Sequence, residues 1–130
     1  MIEELQEYVS RVMRAVKLHA AILFGSRARG DHGPWSDYDI LLIGDFHDPY
    51  LKRLKMLFEL TEGLRIPVEP HPYTLDEALE MLERGNPIIV DAMEEGRMLY
   101  ANDVFKVLLA KYHEMKRAGK LKRTKTSITF

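Results

Sequence analysis

The sequence contains no cysteine. That excludes a disulfide framework, a thiolate metal site and a cysteine nucleophile. It has no apolar run approaching the roughly 18 residues of a membrane span. Its opening, Met1-Ile2-Glu3-Glu4, places acids where a secretory signal would carry basic residues. These absences point to a cytoplasmic protein. The five histidines are scattered, with none at the spacing of a zinc motif. Side-chain amides are scarce: one Gln and two Asn stand beside many Glu, Lys and Arg, a balance that leans towards a thermophilic source. Acidic residues are missing from Met115 to the end, where six basic ones lie (Lys116, Arg117, Lys120, Lys122, Arg123 and Lys125). Residues 1–114 hold thirteen basic and twenty acidic side chains. A body of charge −7 and a basic tail therefore lie behind a net charge of only −1.

What is present suits a globular chain. With 130 residues, 46% hydrophobic and 30% charged, it has room for one core and one compact site. Ile2, Leu5, Val9, Val12, Met13 and Val16 recur at helical spacing and predict a helix over residues 2–17. Ala20 to Phe24 reads as a short buried strand running into Gly25-Ser26, with one helical turn beginning at Ser26. Tyr38 to Ile43 is a second strand, ended by Gly44. Asp48-Pro49 opens a helix as cap and first residue. Leu51, Leu54, Leu57 and Phe58 supply its apolar face and Gly63 stops it. Residues 64–69 read as a third strand, placed near an edge by Pro67 and ended by Pro70 and Pro72.

Thr74 with Glu77 forms a capping box, whose helix runs to Gly85. Asn86-Pro87 opens another helix, closed by Gly96. Residues 97–100 are a candidate strand, and Asn102 or Asp103 caps a final helix ended by Gly119. The expectation is an α/β (α+β) fold: one domain over residues 1–118, a small sheet covered by helices, and a solvated basic tail over 119–130.

The chemistry concentrates between Phe24 and Ile40. Asp37 and Asp39 are two apart at the start of a strand, so both side chains leave one face. Neighbouring carboxylates repel by about 1 kcal/mol even in water. A fold that keeps both ionised has use for a cation, and oxygen ligands suit Mg²⁺ together with substrate phosphates. A strand running into Gly25-Ser26 and a helical turn directs amide hydrogens outward, and Gly25 lets a triphosphate approach the backbone. Ser26 and Ser36 offer hydroxyls, while Arg27 and Arg29 offer positive charge. Glu69 is the candidate third carboxylate. It ends the third strand on the face opposite Ile66 and Val68, where it could serve a two-metal site and act as base.

The pattern Gly25-Ser26-x-Ala28-x-Gly30 followed by Ser36-Asp37-x-Asp39 and an apolar run resembles the polymerase-β-like nucleotidyltransferase superfamily. Within it the chain is similar to minimal nucleotidyltransferases, often antitoxins paired with HEPN-domain toxins. The resemblance implies a palm of mostly antiparallel strands, phosphate binding by Gly25 and Ser26, and Mg²⁺ binding by Asp37 and Asp39. It implies transfer of a nucleoside monophosphate, AMP from ATP, to a hydroxyl of a small helical HEPN-type partner. The family's third carboxylate is commonly Asp; here Glu69 takes its place, followed by Pro70-His71-Pro72.

Other readings stay open. The chain could be a non-catalytic antitoxin that retains the site as a relic, or it could act on a small molecule such as an aminoglycoside, with a second copy closing the pocket. Nucleic-acid binding through the tail ranks below these. His32 and His71 read as surface loop residues, with help in acceptor binding as the lesser reading, and Trp35 as a residue packed under the motif loop, with stacking on a base as the lesser reading.

Overall fold

The structure, a computed structural model, describes residues 2–123 together with 128 and 129. Its order is α1 (Ile2–Ala15), β1 (Leu18–Phe24), α2 (Ser26–Arg29), β2 (Tyr38–Gly44), α3 (Tyr50–Glu59), β3 (Val68–Tyr73), α4 (Leu75–Glu83), α5 (Pro87–Glu95), β4 (Arg97–Ala101), α6 (Phe105–Arg117), β5 (Lys122–Arg123) and β6 (Ile128–Thr129). Four strands form a mixed sheet in the order β3-β2-β1-β4. β1 is antiparallel to both β2 and β4, while β2 and β3 run parallel.

Alternation along the central strands divides the core in two. Leu23, Ile40 and Leu42 face α1 and α3, where Tyr8, Val12 and Leu57 are buried. Ile22, Leu41 and Ile43 face α4, α5 and α6 through Leu82, Ile89 and Leu108. Helices thus cover both faces of the sheet, as the expected α/β architecture requires. No helix among the described residues is long and apolar enough to cross a membrane.

Local signals explain most boundaries. Thr74 Oγ1 accepts from the Glu77 amide while Glu77 Oε1 accepts from the Thr74 amide, completing the capping box. Asn86 Oδ1 accepts from the Ile88 amide ahead of Pro87. Asn102, rather than Asp103, uses its side chain at the last helix by accepting from the Val104 amide.

Four expectations change. β1 begins at Leu18, two residues early, because buried His19 has both ring nitrogens paired. Asn102 Nδ2 donates to its Nδ1 at 3.0 Å, and its Nε2 donates to Asp45 at 2.8 Å. Pro49 occupies the cap position of α3, and Asp48 contributes its carbonyl, which accepts from Arg53. On α3, Leu51 and Phe58 are exposed; Leu57 and the stem of Arg53 form the inner face.

The fourth change is β3, which starts later and runs through both prolines. The Tyr38 amide donates to the Pro67 carbonyl, so odd-numbered residues of this stretch point their backbone groups at β2. Pro70 and Pro72 therefore turn towards the open edge, where a missing N–H costs nothing. The Pro72 carbonyl on that edge accepts from buried Arg53, which also makes a bidentate pair with Glu77. Beyond Gly119, Leu121 is buried in the core against α4–α6, and β5 pairs with β6. The remainder of the expected basic tail, including Lys125, lies outside the described residues.

Candidate active site

The sheet brings three strand ends to one edge. Phe24, last in β1, pairs with Asp39 near the start of β2, and Asp39 stands in register with Glu69 on parallel β3. Asp39, Glu69 and His71 share one face because strand side chains alternate. Their donor atoms all lie within 4.8 Å of one another. Two carboxylates and an imidazole at that spacing are a donor set that fits a divalent cation.

Electrostatics support the same conclusion. Although Glu69 is exposed, its carboxyl is held above its ordinary range by partial desolvation, then by its hydrogen bond and charge contact with Asp39, and by Asp37 more weakly; His71 opposes the shift. A cation at this point would relieve that repulsion. Asp37 lies outside the close donor grouping, exposed in the stretch leading into β2, yet near enough for its charge to reach Glu69.

Gly25 opens α2 with φ +76° and no side-chain cap. A Cβ placed there would stand 2.8 Å from Asp39 Oδ2. The residue must therefore be small both for its left-handed backbone and for the carboxylate beside it. Ser26 begins the four-residue turn, whose first amides have no acceptor within a helix, and Gly30 closes it in the left-handed region.

The remaining candidates are tied into the loop. Arg27 Nε donates to the Ser36 carbonyl at 3.1 Å, and its guanidinium lies 4.3 Å from the Tyr38 ring centre. Ser36 Oγ accepts from the Gly33 amide at 3.1 Å. Arg29 pairs with Asp31 and Glu95, which raise its pKa. All three residues thus shape the loop around the cluster. Trp35, expected beneath that loop, is 92% exposed at the tip of the Gly33–Ser36 turn.

Sequence reasoning put His71 in a surface loop, with help in acceptor binding as the lesser reading; the structure puts it on β3 beside Asp39. It is half-buried, its Nε2 lies 3.0 Å from Asp39 Oδ1, and its ring packs edge-on against Phe24 at 5.0 Å. The signal was its i, i+2 relation to Glu69. Ending the strand at Pro70 removed it from view.

A carboxylate cluster at a sheet edge, beside a glycine-opened helical turn, could hold a cation and an anionic ligand. Residues 3–99 match the nucleotidyltransferase domain. That span includes the whole cluster and most of the chain, which belongs to this family. Among curated proteins none matches the chain significantly.

Solved structures share the fold. A toxin–antitoxin complex crystallised with AMP-PNP aligns at TM-score 0.61 and 19% identity, covering 88% of this chain and 89% of its own. A mutant MntA-HpeT toxin–antitoxin complex aligns at 0.60 and 17%, with 88% and 89% coverage. A complex of tri-AMPylated Shewanella oneidensis HEPN toxin with MNT antitoxin aligns at 0.53 and 18%, with 92% and 90% coverage.

Proposed function

We propose that this protein transfers AMP from MgATP to a hydroxyl, plausibly tyrosine, of a small helical HEPN-type partner, and acts as the antitoxin of that pair. The observation that carries the reading is the register of Asp39 with Glu69 beside Gly25-Ser26, inside a stretch that matches the nucleotidyltransferase domain. The partner class draws support from the fold neighbours, of which one is a complex with AMP-PNP and another contains a tri-AMPylated HEPN toxin.

In this reading Gly25 and Ser26 hold the triphosphate through backbone amides and the Ser26 hydroxyl. Arg27 and Ser36 keep the intervening loop folded, and Arg29 stands at its rim. Asp37, Asp39 and Glu69 would hold Mg²⁺, two ions at most. When bound, Mg²⁺ neutralises phosphate charge and acidifies the acceptor hydroxyl. The acceptor oxygen forms a bond to the α-phosphorus as the bond to the β-phosphate bridging oxygen breaks, and pyrophosphate leaves. Glu69 takes the acceptor proton. The chain devotes its visible chemistry to the nucleotide, so the acceptor arrives on another molecule.

The test is co-expression with a small helical HEPN-type protein, followed by intact-mass measurement. The expected result is a mass gain of AMP on the partner, lost with Asp37→Asn. Tight binding without modification would instead establish a non-catalytic antitoxin. Modification of a small hydroxylated compound in place of protein would replace the acceptor class.

A further inference from the structure

His71 is the member of the donor cluster to which the proposed transfer assigns no role. We infer that His71 is a direct ligand of the site's cation, so that the site takes first-row transition cations of the Mn²⁺, Co²⁺ and Zn²⁺ class through one imidazole nitrogen and two carboxylates. This rests on the proposed placement of a cation at Asp39 and Glu69.

Three features of the structure support it. His71 lies two residues after Glu69 on β3 and presents its ring on the face that carries Asp39 and Glu69. His71 Nε2 and Asp39 Oδ1 are hydrogen-bonded at 3.0 Å, and the same separation suits neighbouring ligands on one six-coordinate ion. Two bonds of about 2.1 Å at a right angle put their donor atoms about 3.0 Å apart. Finally, the ring is half-buried and held edge-on by Phe24, so the nitrogen is positioned before any ion arrives. Carboxylates alone favour Mg²⁺, whereas an added imidazole selectively strengthens binding of the later first-row ions.

The experiment uses the full chain and the metals alone. Co²⁺ and Mg²⁺ are titrated separately by calorimetry into the unaltered protein, His71→Gln and Asp39→Asn, with melting curves to verify folding. His71→Gln should weaken Co²⁺ binding by about tenfold or more while changing Mg²⁺ binding by less than about threefold. Asp39→Asn should weaken both. Proton NMR of the unaltered protein with Co²⁺ should show strongly shifted His71 ring signals, a readout that needs no variant to fold.

Equal losses for both metals in His71→Gln would mean that His71 only positions Asp39, and would overturn the inference. Unchanged Co²⁺ affinity, or ring signals left in their ordinary range, would overturn it as well. Either failure leaves the proposed transfer standing if MgATP still binds in a manner that needs Asp37 and Asp39.

Discussion

Gly25 makes room for Asp39: a Cβ on Gly25 would stand 2.8 Å from Asp39 Oδ2. The nearby Gly30 has a similar φ of +85° but open space around it, which supplies a control. Gly30→Ala should cost about 1–2 kcal/mol of stability through its left-handed backbone, and Gly25→Ala up to about 3 kcal/mol, because φ +76° with ψ −158° is a conformation essentially only glycine adopts. Only Gly25→Ala should also displace the carboxylate and weaken MgATP binding by about tenfold or more, a difference of about 1.4 kcal/mol. Calorimetry beside thermal melts separates the two effects. Equal MgATP affinity in both variants would reduce Gly25 to a turn residue.

Glu69 carries a cost in the protein without metal. Its pKa is raised in the folded state, so its contribution favours folding at acid pH and is lost as pH rises through the folded value. Glu69→Gln removes the charge that Asp39 and Asp37 repel. Without metal the variant should melt at a higher temperature at neutral pH, and the gain should vanish in acid. With MgATP and acceptor, it should lose transfer rate far more than nucleotide affinity. A lower melting temperature at neutral pH would contradict the repulsion, and full single-turnover activity would remove Glu69 from the chemistry.

The Arg53–Glu77 pair joins α3, the proline edge of β3 and the cap of α4. Arg53 is buried and Glu77 is partly exposed, so the loss on Glu77→Ala should be about 2 kcal/mol, below that of a fully enclosed pair. The Arg53 guanidinium, more than any other group, holds the Glu77 carboxyl below its ordinary value of 4.5. Its stabilisation is therefore complete above that value and disappears as pH falls through the lower folded pKa. Denaturant melts of the unaltered protein and Glu77→Ala across acid pH should converge. A constant gap between them would show that the charge is not responsible.

Much of the candidate site was legible because its signals are local. A glycine-serine turn after a buried strand and two acids at i, i+2 require only strand alternation and helix-end chemistry to interpret, and Glu69 followed from the polarity of its face. Asp37 and Asp39 read as a matched pair in sequence. Their placements differ because Asp39 enters the sheet and Asp37 stops short of it.

What stayed hidden depends on neighbours distant in the chain. Pro70 and Pro72 stop a strand unless it lies at an edge with its odd residues facing inward, and only the β2 partner decides that. His71 was lost with them. His19 lay outside the strand read from Ala20, and Asp45 and Asn102, at 26 and 83 residues' distance, pair both its nitrogens within it. Trp35 misled in the opposite direction, since hydrophobicity predicted burial and the turn holds the ring in solvent.

Leu121 tests where the folded unit ends. It lies past Gly119 yet is buried with Leu108, Tyr112 and Met115. Leu121→Ala should cost about 2 kcal/mol, the lower end for a buried leucine at the margin of a core. Urea denaturation measures it. A loss below about 0.5 kcal/mol would place the residue among surface substitutions.

The central claim is that the bond broken lies between the α- and β-phosphates of ATP and that the Asp37–Asp39 site directs the break. Incubating the protein and the proposed helical partner with Mg²⁺ and ATP labelled at either the α- or the γ-phosphate tests this directly. The account predicts covalent label on the partner from α-labelled ATP only, release of the γ label as pyrophosphate, and no transfer by the Asp37→Asn, Asp39→Asn double variant. Label arriving from the γ-phosphate, or transfer that persists in the double variant, would contradict it.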